Sequence, residues 1–156
     1  MPAMSLATPA LVSVAQEVLS FNIGQERYAL SLTEIQEIRA FEPPTRLPNQ
    51  SPFQLGVLNI RGTMVPLVDL RLLLGVGTPE VNQLTSVIVL AQGEQFVGLV
   101  VDSVCDVLEL PAGCIRPAPF NQAQAIVPIK GLATVQGQMY ICIEGSTFFQ
   151  LAAALI

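Results

Sequence analysis

Glycine and proline cut this chain into pieces too short for long helices. Eleven glycines and twelve prolines are spread over 156 residues. Turn signals recur about every 8–12 residues, the spacing of an all-β sandwich or barrel. Between the turns lie short apolar runs. Leu19, Phe21 and Ile23 alternate with Ser20 and Asn22, as in a half-buried strand, and Arg27–Leu32 returns after Gly24-Gln25. Leu55–Ile60 and Thr63–Val68 fold back at Arg61-Gly62. Thr85–Ala91 turns at Gln92-Gly93-Glu94 into Gln95–Val101. Ser103–Leu110 alternates imperfectly and reads as an edge strand. Gly131–Val135 and Gln138–Ile143 form a last hairpin about Gln136-Gly137. About eight to ten short strands result, so the fold class is all-β with short accessory helices.

Three segments read as helical. Thr33–Arg39 has Ile35 and Ile38 three residues apart, with Thr33 and Gln36 placed as in a capping box. Asp69 caps a leucine run that Gly75 ends. Ser146 caps Thr147–Leu155, whose Phe148, Leu151, Ala152 and Leu155 share one face. Prolines at 43, 44, 48 and 52 make a loop after the first helix, and Pro111–Pro128 is another. The turn-rich stretch Val76–Gln83 is the expected boundary between two halves. Residues 1–16 are mostly small and aperiodic and predict a disordered tail before a domain over 17–156.

Composition narrows the function. Only 12% of the residues are charged, against about 25% in ordinary domains, so part of the surface is expected to meet other proteins. The net charge is −5 and the seven basic residues are scattered. Nucleic-acid binding needs a basic stripe, and an anionic membrane surface the same, so neither is a partner. No apolar run reaches the ~18 residues of a membrane span. No basic residue precedes Arg27, which argues against a signal peptide. Three cysteines without a C-x-x-C pattern suggest buried, reduced thiols in the cytoplasm.

The chemistry of catalysis is sparse. Histidine is absent, which removes the commonest general base and metal ligand. Dispersed cysteines without it make zinc a poor fit. Asp102, Asp106 and Glu109 lie close in sequence, but calcium loops are denser in oxygen ligands, so these carboxylates are read as solvating a strand and its turn. Arg116 follows Cys114 closely and could activate a thiolate, although a packed cysteine is the plainer reading. The chain is read as no enzyme, with no metal and no cofactor. Arg61 is different in kind: it is the lone charge between Arg46 and Asp69, at a turn between two apolar strands.

The stretch from Gly56 to Arg71 resembles the N-L-R-G-x-x-x-P-x-x-D-L-R signature of the CheW family, with Ile60 where leucine is usual. Other motifs follow in order. Phe21–Leu30 is similar to the opening F-x-L-G-x-x-x-Y-A-I, and Ile35–Arg39 to V-x-E-I-R. Thr45–Pro48 resembles T-R-L-P, and Val97–Asp102 resembles V-G-L-V-V-D. Ile115–Pro119 and Ile129 with Gly131 complete the series. The resemblance implies two interlocked SH3-like β-barrels sharing a core, and a non-catalytic adaptor that couples chemoreceptors to a histidine kinase. The implied partners are the regulatory domain of the CheA kinase and the cytoplasmic tip of the receptors. By position in the motifs, Arg61, Asn59 and Glu37 would face the receptor, with Leu99, Val101 and Val104 lining a groove between the barrels. Ile35 and Gly56 would face the kinase. Such a protein is expected in the cytoplasm, recruited to receptor arrays at the inner membrane. The same adaptor could serve a type IV pilus pathway, or the chain could be a regulatory domain of a larger kinase. The starting methionine and the lead-in favour a free-standing protein, and the short C-terminus is expected to limit accessory contacts. From another class, a small-molecule-binding β-barrel is the alternative, though enclosed ligands generally need larger barrels.

Overall fold

The computed structural model describes residues 15–76, 80–120 and 125–153. Eleven strands and two helices follow in order: β1 (Gln16–Ile23), β2 (Glu26–Ser31), β3 (Ile35–Ala40), β4 (Gln54–Ile60), β5 (Thr63–Asp69), α1 (Leu70–Leu74), β6 (Ser86–Gln92), β7 (Gln95–Val101), β8 (Ser103–Leu110), β9 (Ile115–Arg116), β10 (Ile129–Val135), β11 (Gln138–Ile143) and α2 (Ser146–Ala153). They form two sheets, one in the order β8-β1-β2-β11-β10-β9 and one in the order β3-β6-β7-β5-β4. The predicted tail lies outside the described residues up to residue 14, and Gln16, its expected last residue, already opens β1.

The halves do not divide at Val76–Gln83, the expected boundary. Strands on both sides of that connector share the five-stranded sheet, where β5 runs parallel to β7. The second sheet is instead inserted whole between β2 and β8, and β11 joins the two parts of the first by running parallel to β2. The chain changes sheets at the 3-10 turn Leu32–Glu34 and at Asp102. Hydrophobic patterning alone carries no information about which strands pair across such an insertion.

The expected helix over Thr33–Arg39 is a 3-10 turn followed by strand β3. Its three-residue isoleucine spacing has another cause. The register of β3 against β6 shifts between Ile35 and Glu37, so Ile35 pairs with Leu90 and Ile38 with Ile88. A bulge inserts one residue, and it places both isoleucines on one face of a strand.

Alternation on β6 and β7 explains the core. Ile88, Leu90, Val97, Leu99 and Val101 point to one side, where they pack with Leu19, Phe21 and Leu30 of the other sheet and with Phe148, Phe149 and Ala152 of α2. Val87, Val89 and Val100 point to the opposite side, into a separate cluster with Leu58, Ile60, Val65 and Leu67. A third cluster, with Val18, Ala29, Leu110, Ile115, Ala133, Tyr140 and Cys142, fills the six-stranded sheet. Strands buried on both faces read as continuous apolar runs, as Val87–Leu90 does.

Candidate functional site

Three of the residues singled out by sequence come together at one end of the five-stranded sheet. The turn joining β4 to β5 has Arg61 at φ 50° and Gly62 at φ 88°, the left-handed pair that tight hairpins prefer. Asn59 closes this turn, its Oδ1 accepting from the Gly62 N–H at 2.8 Å. The Arg61 side chain is 69% exposed and reaches Glu37 on β3. Glu37 also accepts from Arg39 at 3.2 Å, and Arg39 approaches Glu42 at 3.5 Å. The Arg61 hydrogen bond holds the Glu37 carboxyl below the usual carboxylate range, and the carboxylate raises the guanidinium's pKa in return. Because β3 and β4 are the outer strands of their sheet, this pair ties its two edges together. A backbone bridge between Thr45 and Val57 does the same farther along. Behind the pair lies a hollow of about 240 Å³ lined by Gln36, Glu37, Ile60, Arg61, Thr63, Val65, Val89 and Phe96.

The other expected contact residues are placed differently. Leu99 and Val101 are 0% exposed, inside the core shared by both sheets. They line no groove, because α2 and the β1–β2 hairpin occupy the space they face. Val104 is half-buried on β8 of the other sheet, outside the hollow. Ile35, at the start of β3, is half-buried against the shared core. Gly56 sits in β4 at φ 134°, and a Cβ there would lie 2.1 Å from the Thr45 carbonyl oxygen. The backbone that approaches Gly56 is therefore the chain's own, not another barrel's.

Sequence reading undervalued Arg71. Asp69 does cap α1, accepting from the Arg71 N–H at 2.9 Å, and Gly75 ends the helix in the left-handed region. The buried Arg71 side chain then donates to both Asp69 oxygens at 3.0 Å, to the Glu80 carbonyl at 2.8 Å and to Asp102 at 3.3 Å. Burial disfavours this guanidinium, and the two carboxylates outweigh it, raising its pKa. Asp102 also accepts from the Gly24 N–H at 2.8 Å, so it joins the sheets as well as marking a turn. The D-L-R triplet carried this signal, since an arginine two residues after a capping aspartate can fold back onto it. Of the cysteines, only Cys142 is buried, and burial pushes its thiol up to about 11. Burial also raises Cys114, more than Arg116 lowers it, which argues against an activated thiolate.

Among the described residues no cluster of three or more His, Cys, Asp or Glu could hold a metal ion, and no helix is long and apolar enough to cross a membrane. Residues 17–153 match the family model for the CheW-like domain. The chain is 41% identical over 133 residues to the chemotaxis protein CheW of Klebsiella aerogenes, covering 85% of this chain and 80% of that one. It is 29% identical over 151 residues to the CheW of Rhizobium meliloti, covering 94% and 95%. The scaffolding protein TtCheW of Thermoanaerobacter tengcongensis superposes with a TM-score of 0.76 at 25% identity, over 83% of this chain and 89% of that one. The two sheets are thus the two SH3-like units of that fold, and the chain belongs to the CheW family of non-catalytic chemotaxis adaptors.

Proposed function

We propose that the chain couples receptor to kinase through separate sets of residues. The turn of Arg61 and Asn59, with Glu37 beside it, takes the cytoplasmic tip of a chemoreceptor, and Val104 adds a contact from the other sheet. The kinase-facing set lies on the same sheet, with Ile35 on β3 two residues before Glu37, and Gly56 near the start of β4, where the loop through Thr45 packs on it. It takes the regulatory domain of the CheA kinase. Gly56 acts there through the backbone it admits rather than as a contact. The protein works in the cytoplasm, gathered at receptor arrays on the inner membrane.

The observation that carries this reading is the exposed Arg61 guanidinium beside a hollow with an apolar floor. The turn does not call for arginine, since the matching turn at Gln136-Gly137 takes the same conformation with an uncharged residue. Arginine at the centre of an interface is a frequent hot spot. Arg61→Ala should keep the melting temperature and the affinity for the kinase regulatory domain, while weakening a receptor tip fragment about 30-fold or more in calorimetric titration. Unchanged receptor binding would reduce Arg61 to a turn residue.

A further inference from the structure

The hollow behind Arg61 is the open end of a core. Its floor consists of Ile60, Val65 and Val89, members of the cluster inside the five-stranded sheet, with Phe96 packed against them. Its rim is polar and carries both charges: Gln36 and Glu37 on one side, Arg61 and Thr63 on the other. At about 240 Å³ it is smaller than the ~300–1,000 Å³ of small-molecule sites. It has room for one large apolar side chain.

The charges around it are arranged for exchange. Glu37 holds two arginines, Arg61 and Arg39. The Arg39 Nε–H is buried and has no acceptor. If Arg61 leaves Glu37, the carboxylate keeps a cation and Arg39 can take more of it. Arg61 is the exposed member, and an exposed ion pair is a weak interaction.

We infer that the hollow receives a leucine- or phenylalanine-sized side chain from a helix at the receptor tip, while a carboxylate one helical turn away on that helix takes Arg61 from Glu37. Residues three or four apart on a helix present side by side, which matches an apolar floor with a guanidinium at its edge. The apolar side chain extends the core cluster, and the incoming carboxylate replaces the one that Arg61 gives up. Glu37 is therefore a competitor for Arg61, not a receptor contact. This rests on the receptor-facing reading of Arg61 above.

The two ideas separate in one titration series of the full chain with the cytoplasmic hairpin fragment of a chemoreceptor. Glu37→Gln frees Arg61 and should tighten binding about 3-fold. Thr63→Phe fills the hollow from its exposed rim and should weaken binding about 10-fold or more. Gln36→Phe fills it from the opposite rim and replaces Thr63→Phe should that variant melt early. Should Arg61→Ala bind normally, the receptor-facing reading fails and this inference with it. If Arg61→Ala weakens binding but Glu37→Gln fails to tighten it, or the filled hollow binds normally, the exchange is wrong and the reading of Arg61 stands.

Discussion

At the scale of single residues, Gly56 and Arg61 show how differently two signature positions can work. Gly56 lies at a bulge in β4, where the register shifts between Gln54 and Gly56. It combines a φ open to glycine with a neighbour that leaves no room, since a Cβ would meet the Thr45 carbonyl oxygen at 2.1 Å and its carbon at 2.8 Å. Both are backbone atoms, held by reciprocal hydrogen bonds between Thr45 and Val57 at 2.8 and 2.9 Å. Gly56→Ala should therefore cost about 3 kcal/mol or more, adding backbone strain to overpacking. Urea unfolding measures it, and a cost below about 1 kcal/mol would mean that the loop shifts freely. Loss of kinase binding in such a variant would follow from the displaced loop. Gly56 was legible as a place of close approach, but sequence could not say whose backbone approaches. Arg61 was legible as an isolated charge, whereas its partner Glu37 is 24 residues away and only pairing of the sheet's edges brings them together.

At the scale of elements, the hairpins were the most legible part, because the turns at Gly24, Arg61-Gly62, Gly93 and Gln136-Gly137 all need left-handed backbone. The β3 bulge was not, since an inserted residue turns a strand's spacing into a helix's. The start of α2 shows a further limit. Ser146 is its first residue rather than its cap, and the Glu34 carboxylate, from the 3-10 turn, accepts from the Gly145 N–H at 2.6 Å. A cap supplied from more than a hundred residues away leaves no local trace. It does leave a pH dependence. Burial raises the Glu34 pKa above 4.5, and the Gly145 hydrogen bond and Lys130 only partly oppose that. An acid whose pKa is raised by folding binds its proton more tightly when folded. Its contribution to stability is complete below the unfolded value and is lost as pH rises through the folded one. Glu34→Gln retains an acceptor oxygen and does not ionise. Its stability relative to the wild type should therefore increase between about pH 4 and pH 7. Parallel urea-unfolding profiles for the two proteins would show that Glu34 does not titrate differently on folding.

At the scale of the whole molecule, two kinds of joint hold the sheets together. One is the shared core, whose apolar residues were visible as buried strand patterns. The other is ionic. Arg71 leaves α1 on the five-stranded side and binds Asp102 at the crossing into β8, and Asp102 holds the Gly24 turn of the β1–β2 hairpin. Asp69 and Arg71 are nearly inaccessible, with side chains 3% and 4% exposed, whereas Asp102 is 39% exposed. This gradient sets the expected energies. Removing one partner of a buried pair strands the other charge away from water. Arg71→Met should cost about 3–5 kcal/mol, mostly through the abandoned Asp69 carboxylate. Asp102→Asn should cost only about 1 kcal/mol, because the amide retains an acceptor oxygen and water reaches the site. Replacing both Asp69 and Arg71 by apolar residues should recover part of the first loss, since no buried charge is then left alone. The core still spans both sheets in each variant, so chemical unfolding should remain one transition with an unchanged m-value. Equal costs for Arg71→Met and Asp102→Asn would contradict the gradient. A second transition in Arg71→Met would make the ionic joint, not the shared core, the element that binds the sheets into one cooperative unit.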